Sequence, residues 1–509
     1  MIALTTSLVQ KLTMSSIDSN LLCYDLPSRP RPEMGTILVT GATGYIGGRL
    51  VPELLARGYK VRVMARAVSE ELKDRWPGVE VVVADALIAE SVRMALEGIH
   101  AAYYLIHSLL CGPQEFEAKE IQAAENFRRA AQAEGVTRII YLGALGDVRA
   151  PLSPHLRSRM QVAEELGRGP VATTVLRAAI IIGSGSASYE IVEHLVKNLP
   201  VFLIPRWAQT RCQPIAIRDV VKYLVGVLET PETCGKSFDI GGNDVLTYKQ
   251  MMERFAHLLG KRRFFIPCPF CNIRFFSYLA SLFTPVPAAI TGCLMEGITN
   301  EVVCQSDDIK RLVTFSPLGY REALVRAMSR EEQDKVHTRW SDAYPPAHEL
   351  AMKLHELREP VRYTSSYSLS TKKAAPSLFH SVCRIGGKEG WFYSNWLWRL
   401  RGMVDRVLLG VGSARGRRSS SSLRVGDVID FWRVESLRRD AMLLLRAEMK
   451  LPGKAWLRFN VDRDSDGNRL SVNAYYQPSG VFGKLYWYVF LPFHFLIFHN
   501  LIRQIEKRA

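Results

Sequence analysis

Between residues 36 and 142, short apolar runs alternate with segments whose apolar residues recur at helical spacing. The runs Thr36–Thr40, 60–66, 80–84, 101–107 and 138–142 read as strands. Segments 45–57, 90–97 and 116–135 read as helices, the last closed by Gly135. Strands apolar along their whole length need cover on both faces, which predicts an α/β Rossmann fold with a doubly wound parallel sheet. The alternation continues through 171–176 and 178–182, with helices near 188–198 and 219–228. Residues 260–310 are aromatic and proline-rich, and they predict a helical extension that carries this domain from 35 to 325. The mixed stretch 326–378, with Tyr344-Pro-Pro346 and a Ser/Thr run at 364–371, reads as a linker. Beyond 379 the texture changes. Six of the nine tryptophans fall here, and period-two alternation at 441–450, 455–462 and 470–476 predicts antiparallel strands before a long apolar helix. Residues 1–34 read as a disordered leader.

Charge sharpens this two-part division. The chain carries a formal +16, and residues 360–509 hold 25 Lys and Arg against 11 Asp and Glu, so nearly all the excess is C-terminal. Such a module can face anionic lipid, nucleic acid or a phosphorylated ligand, or it simply keeps the protein soluble. Nine scattered cysteines form no dense framework, and Cys268-Pro-Phe-Cys271 lacks the partners of a zinc site, so no metal is expected. A reducing, cytoplasmic compartment follows.

The sharpest chemical signal is Gly41-Ala-Thr43-Gly44-Tyr45-Ile46-Gly47, set between a strand and a helix. The first glycine permits a tight turn, the second lets backbone approach a pyrophosphate, and the third lets helix pack on strand. Helix N–H groups and the positive dipole end then face the phosphates. At the end of the second strand, where NAD sites place an acid, this chain has Arg66, which suits the 2′-phosphate of NADP, with NAD the alternative. Asp85 follows the third strand, placed to accept from an adenine amine.

With Tyr104-Leu-Ile106-His107-Ser108, Arg138-Ile-Ile-Tyr-Leu142 and Pro214-Ile-Ala-Ile-Arg-Asp219, this turn resembles the NmrA-like atypical short-chain dehydrogenases/reductases. The resemblance implies NADP(H) binding, with Ile106 and His107 beside the cofactor, and reduction of a hydrophobic carbonyl compound. That family group uses Ser, Tyr and Lys, but Gly143-Ala-Leu-Gly146 stands where the serine belongs. His155 and Arg159, four apart on one helix face, occupy the Tyr/Lys location and are the candidate catalytic pair. His155 would donate a proton near neutral pH, and Arg159 would anchor ribose or phosphate. A non-catalytic NADP(H) sensor and a lipid carrier stay open as alternatives.

Segments 390–402, 426–432 and 447–456 resemble the domain of unknown function that often follows such reductases, thought to be START-like. That implies an α+β helix-grip fold around a hydrophobic or lipid-like ligand, spanning 379–509. The basic loop Arg415-Gly-Arg-Arg418 suits an anionic ligand group. No nucleic-acid partner is expected. The apolar segment 485–502 carries Pro492, His494, His499 and Asn500, which are costly in lipid, and the resemblance implies that it is the long helix closing the grip. Membrane association through this segment, as a true span or as an interfacial helix flanked by Arg503, Lys507 and Arg508, is the alternative localisation, with peripheral contact through the basic domain.

Overall fold

The computed structural model describes residues 22–66, 75–107, 113–146, 152–270, 272–329, 339–343, 354, 357, 361–387, 389–412, 423–465 and 467–509. The loop at 415–418, Cys271 and Tyr344-Pro-Pro346 lie outside these described residues. The chain divides into two compact units, residues 1–274 with 292–343, and residues 275–291 with 344–509.

In the first unit, β1 (Thr36–Thr40), β2 (Lys60–Ala65), β3 (Glu80–Val83), β4 (Ile99–Tyr104), β5 (Arg138–Ala144), β6 (Ala172–Ala178) and β7 (Ser237–Ile240) form one sheet. Its order is β7-β6-β5-β4-β1-β2-β3, and every pairing is parallel. Helices α1 (Gly47–Ala56), α2 (Ala89–Leu96), α3 (Pro113–Ala133), α4 (Pro154–Gly167), α5 (Ala187–Asn198) and α6 (Ile217–Glu229) connect or cover the strands. One face of the sheet meets α1 and α6 through Val39, Leu50, Tyr103 and Leu224. The other meets α3 and α4 through Leu38, Tyr104, Phe127 and Leu166. Burial on both faces is why the strands read as unbroken apolar runs. Strand order reverses between β4 and β1, and a crevice outside the carboxyl ends at such a reversal is where this architecture binds ligands.

The leader is shorter than its composition suggests. Leu22, Cys23 and Leu26 are buried, and Leu26 and Cys23 join the core around α1 and α6. The Cys23 amide donates to Glu53 at 2.8 Å, while Asp25 pairs with Arg218 and Lys222 at 2.8 and 2.7 Å. Prolines and polar residues mark a chain laid on a surface as readily as a free one, so residues 22–34 belong to the domain.

The second unit holds β8 (Tyr363–Thr371), β9 (Val428–Ile429), β10 (Trp432–Arg438), β11 (Met442–Ala447), β12 (Gly453–Asp464) and β13 (Gly467–Pro478). They form an antiparallel sheet in the order β8-β13-β12-β11-β10-β9. The supposed linker thus contains a nine-residue strand. In Tyr-Thr-Ser-Ser-Tyr-Ser-Leu-Ser-Thr, Ser365 is buried and Tyr367 and Leu369 pack onto the core, while Thr364, Ser366, Ser368 and Ser370 alternate outward. A half-solvated strand with polar outward positions mimics linker composition. Helices α7 (Ala375–Val382), α8 (Asn395–Val407) and α9 (Gly480–Arg508) complete this unit, with α9 laid along β8 and β13. The helix Ile273–Phe283, expected as an extension of the first domain, groups almost wholly with this second unit.

Candidate functional site

Gly41 sits just past β1 with φ +62°, and a Cβ there would lie 2.5 Å from the Leu105 carbonyl oxygen, so only glycine closes this turn. The Thr40 hydroxyl fixes the approach, donating to the Tyr103 carbonyl at 2.9 Å and accepting from the Leu105 amide at 3.0 Å. Gly47 opens α1, and its Cβ would fall 2.5 Å from the Gly41 oxygen and 2.8 Å from Ala42 Cα. Gly44 differs. A Cβ there would meet only the Gly41 oxygen, at 3.2 Å, and otherwise open space. Gly41 and Gly47 therefore serve the fold, and Gly44 faces the space a ligand needs. With the start of α1 and the positive end of its dipole behind it, this cradle fits a pyrophosphate.

Thr43, Tyr45 and Ile46 shape the same turn. Arg49, not singled out by the sequence, clamps it: its guanidinium lies 4.1 Å from the Tyr45 ring centroid and donates to the Ser184 carbonyl at 2.7 Å. Arg66 is exposed at the carboxyl end of β2, the strand beside β1. Asp85, past β3, holds the Leu87 amide through Oδ1 at 3.0 Å, and Ser91 bonds both its amide and its carbonyl. Ile106 and His107 follow β4 directly. Every predicted cofactor residue thus lies along one edge of the sheet.

His155 and Arg159 come next to this edge, on α4. Ser153 caps that helix, accepting from the Leu156 amide, and Pro154 occupies its first position. The His155 ring centroid lies 5.1 Å from that of His107. The His107 Nδ1 meets Glu120 of α3 at 2.9 Å, and the Ser158 hydroxyl donates to the other Glu120 oxygen at 2.5 Å. Glu120 and Ser158 were missed by sequence reasoning. Ser158 could have been found, since it lies three residues after His155 on the same helix face. The glutamate on another helix carried no sequence signal.

Two expectations change. Burial, reinforced by His107 and Arg159, pushes the His155 pKa down to about 3, so this side chain is a neutral imidazole rather than an acid near pH 7. His107 is also held below the ordinary histidine value, chiefly by burial and then by Arg159, against the pull of Glu120. The Arg159 guanidinium donates to the Leu142 carbonyl and lies 5.0 Å from the Tyr141 ring centroid, so it is engaged within the protein at the end of β5.

A seven-stranded parallel sheet with a glycine-rich turn at its switch point defines a doubly wound Rossmann-type fold. Residues 33–277 match the NmrA-like family. Residues 358–501 match a protein family of unknown function, DUF2867, whose start agrees with β8 rather than with the expected boundary at 379. Divinyl chlorophyllide a 8-vinyl-reductase, chloroplastic, of Zea mays is 30% identical over 255 residues, which cover 46% of this chain and 62% of that protein. The chain therefore spans under two thirds of that relative. NADH dehydrogenase [ubiquinone] 1 alpha subcomplex subunit 9, mitochondrial, of Dictyostelium discoideum is 27% identical over 255 residues, covering 48% and 70%. Among solved structures, the Citrobacter sp. triphenylmethane reductase complexed with NADP(H) aligns with a TM-score of 0.47 and 22% identity, covering 58% of this chain and 100% of that one.

Proposed function

We propose that this protein is an NADP(H)-dependent oxidoreductase acting on a hydrophobic carbonyl compound. The observation that carries the reading is the juxtaposition of the open Gly44 cradle with a buried His107–Glu120–Ser158 cluster and His155, all at the carboxyl edge of one sheet. Bound there, a nicotinamide would supply or accept a hydride. Arg66 favours NADPH through its position at the end of β2. Glu120 at Nδ1 of His107 favours the tautomer with its proton on that nitrogen. Neutral His155 polarises a substrate oxygen through an N–H hydrogen bond without carrying charge.

Fluorescence titration with NADPH and NADH, followed by NADPH consumption across ketones, enones and quinones, tests this reading. Tight NADPH binding with turnover that falls in His155→Ala is expected. Binding without turnover of any of these compounds would favour a redox sensor, a reading that also draws on Gly143-Ala144 replacing the usual serine. For the second unit the reading is a START-like ligand holder, supported by a long helix laid on an antiparallel sheet over an aromatic interior that includes Trp391, Trp398 and Phe431.

A further inference from the structure

Helix α8 is built inside out. Its charged Asp405 is wholly buried, where the carboxylate accepts from the Gly412 and Lys450 amides at 2.7 Å each. Trp398 joins the interior, but a second apolar stripe points the other way. Trp396, Leu400, Met403 and Val407 recur at helical spacing and are exposed, Trp396 to 65%. An amphipathic helix in water buries its apolar stripe and exposes its charges, so this arrangement needs a second apolar phase.

Helix α9 repeats the feature. Trp487, Phe498, Leu501 and Ile505 are buried on the inner face. On the outer face Phe482, Leu485, Tyr488, Val489, Phe493 and Leu496 are exposed, Phe482 to 82%. By length and composition α9 is apolar enough to cross a membrane. Its inner face, however, is committed to the sheet, and the outer apolar stretch of about 15 residues extends only ~22 Å, short of a bilayer core of ~30 Å. Burying it on one side only is the geometry of a helix lying in an interface.

Charge selects the occupant. Within α8 the only acid is the buried Asp405, while Arg399 is exposed near the apolar stripe. Within α9 the only acid is Glu506, against Lys484, Arg503, Lys507 and Arg508. Exposed aromatic rings beside cations and almost no anions match the boundary of an anionic bilayer. We propose that the outer faces of α8 and α9 dock the C-terminal unit onto an anionic lipid surface, peripherally and without spanning it.

The test is flotation of the full-length protein with phosphatidylcholine vesicles, with and without phosphatidylglycerol. Two double variants, Met403→Glu/Val407→Glu on α8 and Phe482→Glu/Leu485→Glu on α9, are run beside it. All four positions are exposed, so folding is checked simply by an unchanged melting temperature. Wild-type protein should float with the anionic vesicles, bind less as salt rises and leave them on alkaline carbonate washing. Each variant should lose binding by about tenfold or more. Wild-type protein that stays with the pellet, or variants that float equally, would overturn the proposal. So would retention after carbonate, which marks a span, or a concentration-dependent dimer that the variants dissolve while vesicles go unbound. None of these results bears on NADPH binding, so the two readings fail separately.

Discussion

Replacing Gly44 with aspartate separates a cradle that holds a phosphate from one that merely turns the chain. The added Cβ meets one oxygen at 3.2 Å and otherwise open space, so the folded state should accommodate it with a melting temperature close to wild type. The new carboxylate, however, enters the space proposed for the pyrophosphate. Two unit charges about 4 Å apart at an effective dielectric constant of about 20 repel by about 4 kcal/mol. That weakens binding roughly a thousandfold. Gly47→Ala is the counterpart: its Cβ would press on the Gly41 oxygen at 2.5 Å, so overpacking should cost about 1–3 kcal/mol of stability. NADPH titration by fluorescence and thermal melts of both variants read the two effects. Undiminished NADPH affinity in Gly44→Asp would remove the pyrophosphate from this turn, and unfolding of that variant would refute the steric reasoning.

Arg66→Ala should weaken NADPH binding roughly tenfold to a hundredfold, the worth of a charge-assisted contact, while leaving NADH unchanged; parallel titrations show whether the arginine reads the 2′-phosphate. His155 should make stability fall with acid. Its folded pKa of about 3 lies below the ordinary 6.5, so the unfolded chain binds the extra proton. The stabilisation is complete above about pH 6.5 and is lost as pH falls toward 3, by about 2 kcal/mol at pH 5. His155→Gln should flatten that part of the denaturation profile. A chain begun at Met34 should lose about 3–6 kcal/mol from the missing burial of Leu22 and Leu26. Chemical denaturation compares it with the full chain, and equal stability would mean residues 22–33 contribute nothing.

The parallel sheet was legible because its strands are buried on both faces and its turns are marked by glycines whose geometry admits nothing larger. That Gly41, Gly44, Arg66 and His107 would share one edge of the sheet was legible for the same reason: each sits within a few residues of a strand end. Glu120 was not, because it reaches His107 from another helix and nothing local to either residue announces the meeting. Residues 363–371 were misread because a strand with one wet face carries serine and threonine just as a linker does. The charge state of His155 was also beyond the sequence, since desolvation by folded neighbours sets it.

The registry of β8 has a consequence for how the chain is made. Tyr363 opens the second unit's sheet and pairs with Tyr476 near its end, so the sheet cannot close until the ribosome has passed β13. The central strands of the first unit, by contrast, lie at the front of the chain, and all seven have been synthesised by Ile240. Synthesis from the amino end therefore favours a parallel-sheet domain that matures early, while the C-terminal unit waits with its first strand unpaired. A nascent chain arrested before β13 should resist protease in its front half and be cut between β8 and β12.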